Sequence, residues 1–187
     1  MKKISVFNHV TIDGLFAGPN GEIDWFQVVH DDEWNRYAQQ HADLSHDTLM
    51  FGHTTYTMMK GWWPTPAAIQ MDPHMAELMN NSPKIVFSRR LKRAREEPNW
   101  RNIRVFHHID LDELRTLKRN ENITILGSGT IVQQLTNLGL IDEYSLVVVP
   151  IILGKGKPLF KGVDKAKLRL VEERAFGNGI ALLRYQV

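Results

Sequence analysis

Three strand-like runs in this sequence end in residues suited to holding phosphate. Between Ile123 and Pro150 an apolar run stops at Gly127-Ser128-Gly129-Thr130 and a helix-like run follows at once. A strand-to-helix turn of this kind offers unpaired backbone N–H groups and the positive end of a helix to an anion above the sheet edge. Gly127 and Gly129 permit positive φ and close approach of a ligand, and Ser128 and Thr130 add hydroxyl donors. The order recurs from Thr48 to Met59, where a strand meets Gly52, His53, Thr54 and Thr55, with the two threonines read as caps of a helix. A third strand, from Lys84, ends in Ser88, Arg89 and Arg90. Two helix starts suit a pyrophosphate, and a serine–arginine pair suits an isolated phosphate monoester. Each turn also has a plain structural reading as a chain reversal. The full G-x-G-x-x-G is absent, because Val132 fills its last position.

The elements that must position these turns follow from periodicity. Strands are expected at Ile4 to Thr11, Thr48 to Phe51, Lys84 to Ser88, Ile103 to Phe106, Ile123 to Leu126, Tyr144 to Val149, Leu168 to Ala175 and Ile180 to Gln186. Helices are expected where Trp34, Tyr37, Ala38, His41 and Leu44 recur after Asp31 and Asp32, where Leu111, Leu114 and Leu117 follow Asp110, and from Thr130 to Leu138, stopping at Gly139. Strands alternating with helices imply parallel crossovers. Gly177-Asn178-Gly179 reads as a hairpin turn, so the sheet should be mixed, mostly parallel, with an antiparallel C-terminal hairpin and helices on both faces. The segment Lys60 to Pro73, KGWWPTPAAIQMDP, reads as a loop folded on the core or a wall of a substrate site.

The length of 187 residues suits one domain, 1–187, and 43% hydrophobic with 24% charged residues is an ordinary globular composition. There is no cysteine, so disulfides and thiolate metal sites are excluded. The first residues alternate polar and apolar types, unlike a signal peptide, and no stretch approaches the roughly 18 apolar residues of a membrane span. These features lead us to expect a cytoplasmic protein. A net charge of +2 is too small to argue for nucleic acid, although Arg89, Arg90, Lys92, Arg93 and Arg95 make one local basic run. The eight histidines, including the pair His107-His108 at a strand end, show no metal-ligand spacing, and no metal is expected.

Taken in order, VTIDG (10–14), FGHTTY (51–56), KIVFSR (84–89), ILGSGTIVQQL (125–135), GLIDEY (139–144) and VPIILGKGKPLF (149–160) resemble the dihydrofolate reductase superfamily. Within it, the chain is similar to the C-terminal reductase domain of bacterial bifunctional riboflavin-biosynthesis deaminase-reductases and its stand-alone relatives. The resemblance implies a three-layer α/β fold, NADPH as cofactor and a homodimer. It also implies reduction of a small planar nitrogen heterocycle or related carbonyl or imine, pterin-like or 5-amino-6-(5-phosphoribosylamino)uracil-like. By the same resemblance Gly127, Ser128, Gly129 and Thr130 match the pyrophosphate turn, and Gly52, His53, Thr54 and Thr55 the second phosphate-side turn. Ser88 and Arg89 match the adenosine-phosphate site, and Ala17 and Gly18 the stretch bordering nicotinamide. A fold retained as a non-catalytic, dimeric nucleotide-binding module is the alternative.

Departures from the pattern are specific. Folate enzymes usually carry arginine where His53 stands, and riboflavin-type reductases an aspartate, a proline and a basic residue where this chain has KGWWPTP. The deaminase zinc signature is absent. Reduction of a C=N or C=O also needs a proton. Counting five residues on from Trp25, as in the folate enzymes, reaches His30, and Asp31, Asp32 and Glu33 follow. We choose Asp32, with Asp31 and Asp13 as alternatives; each has a local role open to it, a helix cap for the first two and a turn for Asp13. Trp25, Trp62 and Trp63 are candidate platforms for a planar substrate, with core or dimer packing the alternative for the last two.

Overall fold

Alternation along the strands decides the layers. In a computed structural model that describes residues 2–25, 32–41 and 47–187, Ile4, Val6 and Val10 enter one apolar cluster while Phe7 packs against another. A strand whose successive side chains face opposite ways must be covered twice, and helices cover it on both faces.

The elements run β1 (Ile4–Thr11), β2 (Leu15–Ala17), α1 (Asp32–His41), β3 (Thr48–Gly52), α2 (His53–Trp62), α3 (Pro66–Met71), α4 (Pro73–Asn81), β4 (Lys84–Phe87) and β5 (Ile103–Phe106). They continue with α5 (Leu111–Asn120), β6 (Ile123–Ile125), α6 (Gly129–Asn137), β7 (Glu143–Val149), β8 (Lys157–Pro158), β9 (Arg169–Ala175) and β10 (Ala181–Gln186). An eight-stranded sheet has the order β5-β4-β3-β6-β1-β7-β10-β9, and β2 pairs with β8 in a separate ribbon. Strands β5 through β7 in that order are parallel, and β10 is antiparallel to both β7 and β9. Helices α5 and α6 bury Leu114, Ile131, Val132 and Leu135 on one face. The other face holds α1 through Trp34 and Tyr37, and α2 with α4 through Tyr56, Leu78 and Met79. Among the described residues no helix is long and apolar enough to cross a membrane.

Local signals explain the boundaries. Asp110 accepts from the Glu113 N–H at 2.8 Å and caps α5. Gly139 takes φ +64 just beyond α6, as a helix-ending glycine does. Leu44 of the expected first helix lies outside the described residues. The expected loop over residues 60–73 is a correction: α2 runs on to Trp62 and α3 follows. Thr65 accepts from Ala68 N–H at 3.2 Å and Asp72 from Met75 N–H at 3.0 Å, each just before a proline that begins a helix. Proline at a first helical position supports a helix, because the missing N–H would be unpaired there anyway.

A chain of polar contacts ties α1 to the sheet. The Tyr37 hydroxyl donates to Glu172 at 2.8 Å, Arg184 pairs with Glu172 at 2.9 Å, and Glu143 stands 3.1 Å from Lys3. Burial and the Glu172 carboxylate push the Tyr37 phenol up to about 12. Lys3, Tyr37, Glu143 and Arg184 line a cavity of about 180 Å³ together with Ser5, Thr124 and Ser145.

Lys84 is fully buried at the start of β4. Its ammonium donates to the carbonyls of Asn80 (3.0 Å), Ser82 (2.7 Å) and Arg101 (3.2 Å) and lies 4.4 Å from the centre of the Trp100 ring. Burial pulls its pKa down to about 8, against the charge of Glu96. An unfolded lysine holds its proton to about pH 10.4. Between these values the unfolded chain binds more protons than the folded one, so this group makes stability rise with pH. Lys84→Met, which takes a donor from three carbonyls, is expected to lower stability by about 2–4 kcal/mol at neutral pH. In urea unfolding its deficit should widen from about pH 8 to about pH 10.

Candidate functional site

Because β6 returns to lie between β3 and β1, the carboxyl ends of all three strands meet at a point where the strand order reverses. Ligands of open α/β sheets bind in such a crevice. The Gly52 N–H donates to the Gly127 carbonyl at 3.0 Å, joining the β3–α2 turn to the β6–α6 turn. A Cβ on Gly52 would collide with Ser128 Oγ, and one on Gly127, at φ +117, would lie 3.1 Å from Thr55 Oγ1. The Gly127–Ser128 peptide bond is cis. The residues before the two helices are Gly52 and Ser128, and neither supplies a side-chain cap. Thr54 and Thr55 therefore lie inside α2 and are not the caps expected from the sequence. Ser128 and Thr130 hydroxyls bond each other at 2.7 Å.

One strand further out, Ser88 is a junction. Its hydroxyl accepts from the N–H groups of Arg90 (3.2 Å) and Leu91 (3.0 Å) and contacts His53 Nδ1 at 2.9 Å. The Ser88 carbonyl accepts from His107 Nδ1 at 2.9 Å. Arg89 and Arg90 are exposed beside it.

The loop after β1 is held from three sides. Asp13 accepts from the Thr11 hydroxyl at 2.6 Å and from the N–H groups of Leu153 (3.3 Å) and Gly154 (2.8 Å). The Thr11 bond leads in holding its carboxyl below the ordinary carboxylate range. Its carboxylate thus ties the end of β1 to the loop after β7. Ala17 is buried, and Gly18 donates to the Glu22 carbonyl at 2.8 Å, with the Glu22 side chain packed where a Cβ on Gly18 would stand. Phe16 brings this loop to the start of α6: a Cβ on Gly129 would come within 2.9 Å of its ring. The β2–β8 ribbon, Phe16 and Glu22 had no signal in the sequence beyond the small residues they pack against.

The aromatic candidates fall into two groups. Trp25 is 6% exposed and packs in the apolar cluster of Trp34, Tyr37 and Phe176, which includes Val149 at the carboxyl end of β7. Trp62 and Trp63 stand at the far end of α2, a ten-residue helix about 15 Å long. The Trp63 carbonyl accepts from Asn80, whose own carbonyl accepts from Lys84 at the start of β4, which places the pair at the amino-terminal edge of the sheet. Asp32 is exposed in the first turn of α1 beside the β9–β10 hairpin, where Glu33 accepts from Gly177 N–H at 3.1 Å. Asp31 and His30 lie outside the described residues. Among the described residues no group of three or more histidines or carboxylates could hold a metal ion.

The sheet order, the helices on both faces and the antiparallel terminal hairpin define a dihydrofolate reductase-like α/β protein. The chain belongs to the RibD C-terminal domain family, whose model matches residues 2–182. It is 29% identical over 179 residues to the uncharacterized protein YyaP of Bacillus subtilis (strain 168), covering 94% of this chain and 90% of that one. A putative riboflavin biosynthesis protein from Shewanella sp. PV-4 superposes with a TM-score of 0.72 at 20% identity, over 98% of each chain. The diaminohydroxyphosphoribosylaminopyrimidine deaminase/5-amino-6-(5-phosphoribosylamino)uracil reductase of Thermotoga maritima gives 0.66 at 15% identity, over 99% of this chain and 56% of that longer one.

Gly52→Ala should force Ser128 and the α6 turn outward. We expect a loss of about 1–3 kcal/mol in urea unfolding; an unchanged midpoint would mean that the two turns separate freely.

Proposed function

We propose that the protein is an NADPH-dependent reductase of a small planar nitrogen heterocycle, or of a related carbonyl or imine, and that it works as a homodimer. The observation that carries this reading is the joining of two uncapped helix starts through Gly52 and Gly127 in a chain of the RibD C-terminal family. Free N–H groups at two adjacent helix starts fit a pyrophosphate, and glycine at both turns leaves room for it to approach the backbone. In this reading Gly127, Ser128, Gly129 and Thr130 hold the pyrophosphate with Gly52, Thr54 and Thr55, while Arg89 meets the adenosine end. Ala17 and Gly18, braced by Glu22, border the nicotinamide, which supplies the hydride when bound. The chain's own contribution is orientation and the exclusion of alternatives.

The substrate class follows from the reductase names carried by relatives of this fold, and the proton is assigned to Asp32, since Asp13 already accepts three hydrogen bonds. The same occupancy of Asp13 favours a second reading, a nucleotide-binding dimeric module without turnover. For the dimer, support comes from Leu170 and Val171 on the edge strand β9, which are exposed.

Titration with NADPH and NADH tests the reading. We expect NADPH to bind more tightly than NADH, Arg89→Ala to weaken NADPH about tenfold, and Trp62→Phe to change neither. Absence of binding of both dinucleotides would overturn it. Binding without oxidation of NADPH on pterin or pyrimidine substrates, with no change in Asp32→Ala, would select the non-catalytic module.

A further inference from the structure

We infer that Ser88 is a positioning residue that fixes the ring tautomer of His53, so that His53 meets a phosphate of the dinucleotide as a neutral Nε2–H donor. This rests on the dinucleotide reading above and reassigns Ser88 within it. A hydroxyl has one hydrogen and two lone pairs. The N–H groups of Arg90 and Leu91 take the Ser88 lone pairs at 3.2 and 3.0 Å, so the contact of 2.9 Å to His53 Nδ1 is made by the hydroxyl hydrogen. Nδ1 is then the acceptor and the ring proton sits on Nε2. His53 is half-buried at the first position of α2, and its Nε2 has no partner among the described residues. Ser88 is only 4% exposed, with its single hydrogen already given away, so it has nothing left to offer a ligand. From the other side the Ser88 carbonyl, which can only accept, takes the Nδ1–H of His107 and holds the serine in place. The residue that looks like a phosphate ligand in the sequence thus acts through its neighbour.

The test is a long-range ¹H–¹⁵N spectrum of the histidine rings in the cofactor-free protein near pH 8, where an ordinary imidazole is neutral, followed by NADPH and NADH titrations. The expected ring carries its proton on Nε2 in the wild type and in Ser88→Thr, and is a mixture of tautomers in Ser88→Ala. Dinucleotide affinity should fall about fivefold to tenfold in Ser88→Ala and recover in Ser88→Thr. A loss confined to NADPH assigns His53 to the additional phosphate, and an equal loss for both cofactors assigns it to the pyrophosphate; either supports the inference. An Nδ1–H ring in the wild type, or unchanged affinity in Ser88→Ala, overturns the role of Ser88 while leaving the dinucleotide site intact. An Nε2–H ring in a wild type that binds neither dinucleotide overturns the phosphate contact together with the proposed function.

Discussion

The hydrogen bond from the Gly52 amide to the Gly127 carbonyl is the contact on which the carboxyl edge depends. It exists because β6 is threaded between β3 and β1, with Met50, Ile125 and Val6 in one register row and one apolar cluster. Strand ends aligned in this way deliver two helix starts to the same place, and only the absence of a Cβ lets the chains close on each other. The positive ends of two helices then face one small volume, which is electrostatically unfavourable without an anion and favourable with one.

Around that contact the molecule is braced by groups far apart in sequence. Asp13 joins the first strand end to the loop after β7, Phe16 closes on α6, and Ser88 joins α2 to the end of β5 through two histidines. The opposite edge is built on different physics: Lys84 is a buried cation surrounded by carbonyls and an indole ring, and it gathers the end of α4 and the chain at Arg101. The proposed site lies at the first edge, and the second anchors the helices that leave it.

Much of the fold was legible because its signals are local. Alternation gave the strands of the main sheet to within a residue or so, Asp110 and Gly139 bracketed helices, and the Gly177–Gly179 turn identified the antiparallel hairpin. Helices α3 and α4 were hidden because Lys60 to Pro73 reads as a loop, although Thr65-Pro66 and Asp72-Pro73 are each a cap followed by a first-turn proline. The positions of the strand-to-helix turns at Gly52 and Gly127 were legible for the same local reason. The roles of single side chains were not. A carboxylate in a turn motif does not announce its partners at Leu153 and Gly154, and an aromatic pair does not say which end of a helix it occupies. Nor can residue type tell whether a serine hydroxyl is free or fully engaged.

The division of the tryptophans between two clusters gives the protein a built-in optical map. Trp25 and Trp34 report from the cluster beneath α1, while Trp63 and Trp100 report from the cluster beneath α2 and α4, and Trp62 faces solvent. Two separate sets of indoles on one sheet face let a spectroscopist distinguish a movement of α1 from a loosening of the opposite half. Replacing one set with phenylalanine would make the emission of the other a local gauge.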